Sequence, residues 1–469
     1  MYRHSFSFRP LSILPLPLLA GTACVTYRAE PLRTFAELAT PAPQVDVVTL
    51  REAVHWLLQR NPRLVAARGR LAAAQAVAAV PTPAANPTLS VGPVWFTPAA
   101  LVARSRNGFQ ASLGWLLPWQ GTRGATDDLN AATADAARID AVAAAREEYL
   151  GLRDELARLA MLEDRLAGEQ QLSSILEEGV AAQRRMGLRA QLGALQIDLA
   201  EFDQHAQASQ VDGVRARLVA AQVDVARRCG VAAARVAELP GRARPVLPVA
   251  LPVLDELCAV LAEHPALARL RAAHTVAEAA LRREVSRQYP NLSLGFAEER
   301  EQGVDRLSLP LGITLPLFDR NQVAIAAAQQ RRAARRAEYE ATVRDLLLGL
   351  RGAFAQLELQ QGRFMVQQQH TERLQRAVEG KLRMLVSARS IDPAERTAAL
   401  RRVQQARIDL QQTRAALFGA WAALERACGA PLLRFPGEPE PPDAVPPLPD
   451  AAGVASRHGT AASNSGVGR

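Results

Sequence analysis

Cysteine, aromatic residues, catalytic motifs and long apolar runs are all in short supply in this sequence. The 4 cysteines among 469 residues are Cys24, Cys229, Cys258 and Cys428. They form no CxxC pair, and none stands at metal-ligand spacing from a histidine, so no zinc-type centre is expected. Cys229-Gly230 and Cys428-Gly429 each close a helical run and read as small buried apolar residues. Aromatics make up 5% while hydrophobic residues reach 49%. With Ala, Arg, Leu and Gln dominant, that balance suits long helices rather than a sandwich or an enzyme core. No GxSxG, P-loop, HExxH or strand-associated GxGxxG occurs. The 7 histidines are scattered, and His264 and His274 are too far apart to act as a ligand pair. The sequence therefore points to no enzyme, cofactor or resident metal. The net charge of +9 comes from basic residues that are mostly Arg, alternating with Glu and Asp along helices. It reads as solvated helix faces, not as a nucleic-acid surface.

The N-terminus is the exception to this pattern. Arg3 and Arg9 precede the short apolar stretch Leu11–Leu19, and Ala20-Gly21-Thr22-Ala23-Cys24 follows. This is a secretory signal over residues 1–23, too short to span a bilayer as a helix. Small residues before a Cys resemble a bacterial lipobox, in which Cys24 is the lipid anchor. Gly21 departs from that pattern, since an aliphatic residue is usual there, and ordinary cleavage after Ala23 is the other reading. No later stretch approaches 18 consecutive apolar residues, so no transmembrane helix is expected.

The rest of the chain repeats. "RNPRLVAARGRLAAAQA" and "EHPALARLRAAHTVAEA" place Pro62 and Pro265 203 residues apart. "PTLSVG" (87–92) and "PNLSLG" (290–295) keep that offset, and "RRCG" and "RACG" close the two halves. "FQASLGWLLP" (109–118) and "LSLPLGITLP" (307–316) are 198 apart, which a longer first hairpin tip would produce. Residues 45–237 form a first repeat and 253–430 a second, each ordered helix, strand, strand, long helix, long helix. Between them, 238–252 is a linker that Pro240, Pro245, Pro248 and Pro252 keep from being helical. Residues 431–469, rich first in Pro and then in Ser, Gly and Ala, read as a disordered tail.

The strand segments alternate strictly. Phe109, Ala111, Leu113, Trp115 and Leu117 oppose Gln110, Ser112, Gly114 and Leu116. Leu307, Leu309, Leu311, Ile313 and Leu315 oppose Ser308, Pro310, Gly312 and Thr314. Each run has the length of a tilted bilayer-crossing strand, yet a half-buried soluble sheet alternates in the same way. Pro310 lacks a ladder donor. The helices are more decisive. Val343, Leu347, Leu350, Phe354, Leu357, Gln361 and Phe364 step by four and three, as do Tyr149, Leu152, Leu156, Leu159, Glu163 and Leu166. The returning helices carry Leu192, Leu195, Leu199, Phe202 and Ala206, and Leu417, Trp421, Leu424 and Cys428. A helix of some 65 residues reaches roughly 100 Å, beyond the span of one globular domain. At the strand-to-helix junctions, Pro118 and Pro316 stop the ladders, Phe318 suits an interface, and Asp319 is expected to cap the following helix.

"LPLFDRNQ" followed by an Ala/Gln-rich helix resembles the strand-to-helix signature of TolC-like outer-membrane efflux proteins. The two-fold repeat resembles that family too, and "CVTYRAEPL" is similar to the start of its lipidated members. The resemblance covers roughly residues 45–430. It implies a mainly α fold with a small β part, in which a homotrimer shares one β-barrel and a periplasmic α-helical coiled-coil tunnel. It implies an outer-membrane channel reaching into the periplasm, with a periplasmic adaptor and an inner-membrane efflux pump as partners. The cargo it suggests is divalent metal cations, or else organic drugs. The helix-to-helix turns near Gly187 and near Arg389, Asp392 and Glu395 would form the periplasmic aperture. Family acidic positions there correspond to Glu395 and Ala398, so only one keeps its charge. A non-pore periplasmic adaptor or structural coiled-coil protein is the competing reading.

Overall fold

The computed structural model of the chain describes residues 27, 29–38, 49–95, 107–118, 121–187, 194–236, 244–248, 250–301, 304–387 and 392–438. Two compact units are present, residues 1–42 and 43–469. The first contributes one helical turn, α1 (Phe35–Leu38). All that follows concerns the second.

In the first repeat α2 (Leu50–Arg60) and α3 (Pro62–Ala78) precede strands β1 (Thr88–Trp95) and β2 (Asn107–Leu117), then the long helices α4 (Thr122–Gly187) and α5 (Ala194–Cys229). The second repeat has the same order: α6 (Leu254–Leu261), α7 (Pro265–Ser286), β3 (Leu292–Glu301), β4 (Val304–Ser308), β5 (Leu311–Ile313), α8 (Gln322–Ser387) and α9 (Pro393–Cys428). Helices α4 and α8 have 66 residues each, so each is about 100 Å long.

Local chemistry fixes the ends. Thr49 and Glu52 form a reciprocal capping box that opens α2. Asn61 opens α3 by accepting the Arg63 and Leu64 N–H groups, with Pro62 at the first helical position. The same device opens α7, where His264 Nδ1 accepts the Ala266 N–H and Pro265 follows.

The returning helices stack end to end on these starts. Gly230, just past α5, has φ +67 and lies where a Cβ would come within 2.7 Å of Arg60. Gly429, past α9, has φ +74 and would meet the His264 ring at 2.6 Å. Glycine at each stop lets the chain turn left-handed and lets the next helix sit directly against the end of the last.

Helix α4 is the hub, packing on α3, α5, α7 and α9, while α8 packs on α7 and α9. Its predicted seam is buried: Tyr149, Leu152, Leu156 and Leu159 are fully enclosed, and Leu350 and Leu357 of α8 join the same cluster with Leu417, Trp421, Leu424 and Cys428 of α9. Glycines on α4 allow close approach. Gly168 lies against Ile408 and Gln411, and Gly179 against Thr397.

Two expectations fail here. The returning helix α5 does not bury Leu195, Leu199 and Phe202, which are 70%, 58% and 71% exposed. Its buried stripe is instead Gln207, Val211, Val214, Ala221, Val225 and Cys229. Periodicity finds an apolar stripe but not its partner, and within one chain α4 meets the other side of this helix. Leu192 lies outside the described residues.

The second failure concerns the tail. Residues 431–438 are not disordered, because Leu433 and Phe435 enter the main core and Arg434 bridges Val246 of the linker, whose N–H donates to the Arg434 carbonyl at 2.8 Å. The cause is a buried cation. Arg153 of α4, fully enclosed, pairs with Glu425 at 2.8 Å and with Glu438, donates to the Leu433 carbonyl at 2.5 Å, and lies over the Phe435 ring at 4.8 Å. Glu425 in turn accepts the Leu432 and Leu433 N–H groups, both at 2.6 Å. A charge this deep persists only when paired, and tail residues supply half of its shell. Residues 439–469 and 1–26, with Cys24 and the expected signal segment, lie outside the described residues.

Candidate channel surfaces

All strands are antiparallel in one sheet, ordered β1-β2-β3-β4, with β5 also on β3. Pro310 divides the expected fourth strand. Leu309 and Pro310 fall between β4 and β5, and Gly295 donates to the Pro310 carbonyl at 2.8 Å where the missing proline N–H would have continued the ladder.

Register then sorts the faces. Leu89, Leu113 and Phe296 stand in one row, Trp115, Leu294 and Leu311 in the next, and Leu117, Leu292 and Ile313 in the third. On the other face, Ser90, Ser112, Ala297 and Ser308 form a row, and Thr88, Gly114 and Gly295 another. The apolar face is the exposed one: Leu89, Val91, Phe109, Leu113, Trp115, Leu294, Phe296, Leu307, Leu309, Leu311, Ile313 and Leu315 are all open to the surroundings. A soluble half-buried sheet would cover this face with its own helices, and here none of the described residues covers it. Charge appears only toward the β3–β4 turn, with Glu298 beside Ala111 and Leu307, and Arg300 paired to Asp305 at 3.1 Å. Among the described residues, the edges β1 and β4/β5 pair with no further strand.

At the junctions, Pro118 directly follows β2, and Pro316 lies three residues past β5. Phe318 is 93% exposed. Asp319 is not the helix cap that the sequence suggests. Helix α8 starts at Gln322, and the Asp319 carboxylate instead accepts the Asn321 N–H at 2.9 Å in a local turn. The residue missed is Asn321, held at φ 60, whose amide donates to the Glu284 carbonyl at 2.9 Å and its carboxylate at 3.0 Å. Glu284 closes α7. Burial works against its charge, but Asn321, Arg283 and Arg287 outweigh that and hold its carboxyl below the usual range. The signal available was Asn-Gln at the helix start, since Asn tolerates the left-handed conformation better than Asp-Arg before it.

At the opposite end of the helices, Gly187 is the last residue of α4. Asp392 takes the N-cap place of α9 with Pro393 behind it, but its side chain makes no capping bond. Glu395 is exposed in the first turn. Arg389 lies outside the described residues. Nearby, Arg184 pairs with Glu201 at 2.6 Å, and Arg401 of α9 with Asp203 of α5. Burial pushes the Cys229 thiol up to about 12 and Cys428 to about 11, so both are inert packing residues. Among the described residues no group of three or more His, Cys, Asp or Glu side chains is placed to hold a metal, and no helix is long and apolar enough to cross a membrane.

His264 gives the start of α7 a pH dependence. Its Nδ1 must be unprotonated to cap α7, while Nε2 meets the Arg426 carbonyl at 3.3 Å. Burial lowers its pKa, opposed by the Arg426 carbonyl and Glu147 and assisted by Arg269. A His depressed in the folded state contributes stability that is complete above its unfolded value, near 6.5, and is lost as pH falls through the lower folded value. We expect the thermal midpoint to drop between pH 7.5 and pH 5, and His264→Asn, which copies the cap at Asn61, to flatten that drop. An unchanged slope in the variant would remove His264 as its source.

The geometry has known counterparts. Residues 257–430 match the family model described as outer membrane efflux protein. No curated protein matches the sequence. Among solved structures, the outer-membrane channel OprN aligns over 87% of this chain and 98% of its own, at 18% identity and a TM-score of 0.66. CusC aligns over 87% and 99%, at 16% identity and a TM-score of 0.62. The outer membrane protein VceC from Vibrio cholerae aligns over 81% and 96%, at 17% identity and a TM-score of 0.63. At these identities the structural likeness speaks for the fold, and the second repeat carries the family match. The second repeat thus matches the outer membrane efflux protein model, and the chain as a whole shares the fold of these outer-membrane channels.

Proposed function

We propose that three copies of this chain form an outer-membrane conduit that passes cargo from a periplasmic adaptor and an inner-membrane pump to the exterior. The observation that supports it most is the sheet, with an apolar face that the described residues leave uncovered, an opposite face mainly of Ser, Gly and Ala with Leu116 among them, and two open edges, continued by helices of 66 residues. Open edges in hydrocarbon leave backbone groups unpaired, so the sheet must close with other copies. The apolar face then meets lipid, the Ser/Gly face lines the bore, and the charged β3–β4 turn faces outward. The exposed Leu195, Leu199 and Phe202 stripe on α5 is a surface for the neighbouring copy. Gly187, Arg389, Asp392 and Glu395 belong to the periplasmic aperture, where three Glu395 carboxylates would repel one another and favour cations. Cys24 is the lipid anchor, and Cys24→Ala would lose labelled fatty acid.

The cargo is read as divalent cations on the resemblance alone. Organic drugs are the second reading, which an apolar-floored groove between α4 and α9 favours. A deletion strain scored for metal and drug sensitivity separates them. Unaltered tolerance of both classes would count against an efflux role, and release from membranes by salt alone would favour a non-pore adaptor.

A further inference from the structure

A groove of about 410 Å³ runs between α4 and α9. That volume lies within the range of small-molecule sites. Ala157, Met161, Ala415 and Phe418 give it an apolar floor, and Arg158, Arg165, Asp154 and Gln411 its polar groups. The charges do not balance. Asp154 pairs with Arg426 at 3.7 Å and Arg165 with Glu169 at 3.4 Å. Arg158 has no ion-pair partner among the described residues. Gln411 adds a second unmet valence, because its Oε1 is buried against Gly168 without a hydrogen-bond donor. Residues 431–438 do not fill this space. Arg153, which binds the tail, and Arg158 are five residues apart, about 140° round the helix. The groove therefore opens away from residues 431–438.

We propose that this groove binds an amphipathic organic anion that also carries an O–H or N–H donor. The apolar body covers Met161 and Phe418, the anion meets the Arg158 guanidinium, and the donor reaches Gln411 Oε1. A bare cation is disfavoured beside two guanidinium groups. The assignment rests on the channel reading only for its role, which is contact with cargo in transit.

The test uses the full-length protein in detergent, titrated with 1-hydroxy-2-naphthoate and, separately, with neutral 2-naphthol by calorimetry. Single-channel recording in a planar bilayer is done on the same preparation. We expect saturable naphthoate binding, at least tenfold weaker binding of naphthol, and a roughly tenfold loss of naphthoate affinity in Arg158→Gln, equal to about 1.4 kcal/mol. Arg158 is exposed, so this variant keeps its fold, and its circular dichroism and thermal midpoint should match the parent. Ala415→Trp should fill the groove and abolish binding. Absence of saturable binding, or equal affinity in Arg158→Gln and the parent, would overturn the site. Binding with these properties in a protein that gives no conductance would keep the site and sink the channel reading instead.

Discussion

Arg153→Ala is expected to free the C-terminal segment and destabilise the helical belt by about 3–5 kcal/mol, the usual cost of removing one partner from a buried ion cluster. The substitution leaves the Glu425 carboxylate, at 2% side-chain exposure, without its cation and removes the anchor for Glu438 and the Leu433 carbonyl. The packing of Phe435 over the guanidinium is lost as well. Trypsin cutting after Arg434 gives a local readout, because that residue is held by the bridge to Val246. Cleavage of a segment that opens 3 kcal/mol more easily should accelerate by roughly a hundredfold. Changing Arg153 to Met together with Glu425 to Leu should recover only part of the loss. The charges then vanish together, but the Leu432 and Leu433 N–H groups that Glu425 accepts are left unpaired. A parent-like digestion rate in Arg153→Ala would show that the segment is held by its apolar residues alone.

The second large effect is expected on the sheet. Leu294→Arg places a charge in the middle row of the apolar face, beside Trp115 and Leu311. If that face meets hydrocarbon, the cost is about 2–4 kcal/mol per chain. Ser112→Arg places the same side chain on the opposite face, among Ser90 and Ala297. There it projects into water, and the expected change is under about 1 kcal/mol in folding, with an altered conductance. Urea titration of the protein refolded into lipid vesicles measures both. Equal penalties for the two variants would mean that the sheet does not separate lipid from water.

Much of this architecture was legible in the residues themselves. Alternation in 109–117 and 307–315 gave the strands, and the four-three spacing through Leu350 and Leu357 gave the buried seam of α8. These features depend on one element and its nearest partner. What escaped depends on tertiary placement. Leu195, Leu199 and Phe202 look like a seam, but none of the described residues of the single chain covers them. Arg153 looks like one more solvated arginine, yet packing encloses it and draws Leu433, Phe435 and Glu438 out of an apparently unstructured tail. At the junction the sequence favours Asp319 as cap. The helix starts later because Asn321 can be left-handed and is held by Glu284, 37 residues earlier in the chain.

Closure of the sheet by other copies is the claim on which the rest depends, and the most direct measurement is the mass of the detergent-solubilised protein by native mass spectrometry, with its β-content followed by circular dichroism. The account requires three chains per particle while the β signal persists. Single chains that retain the full β signal would contradict it.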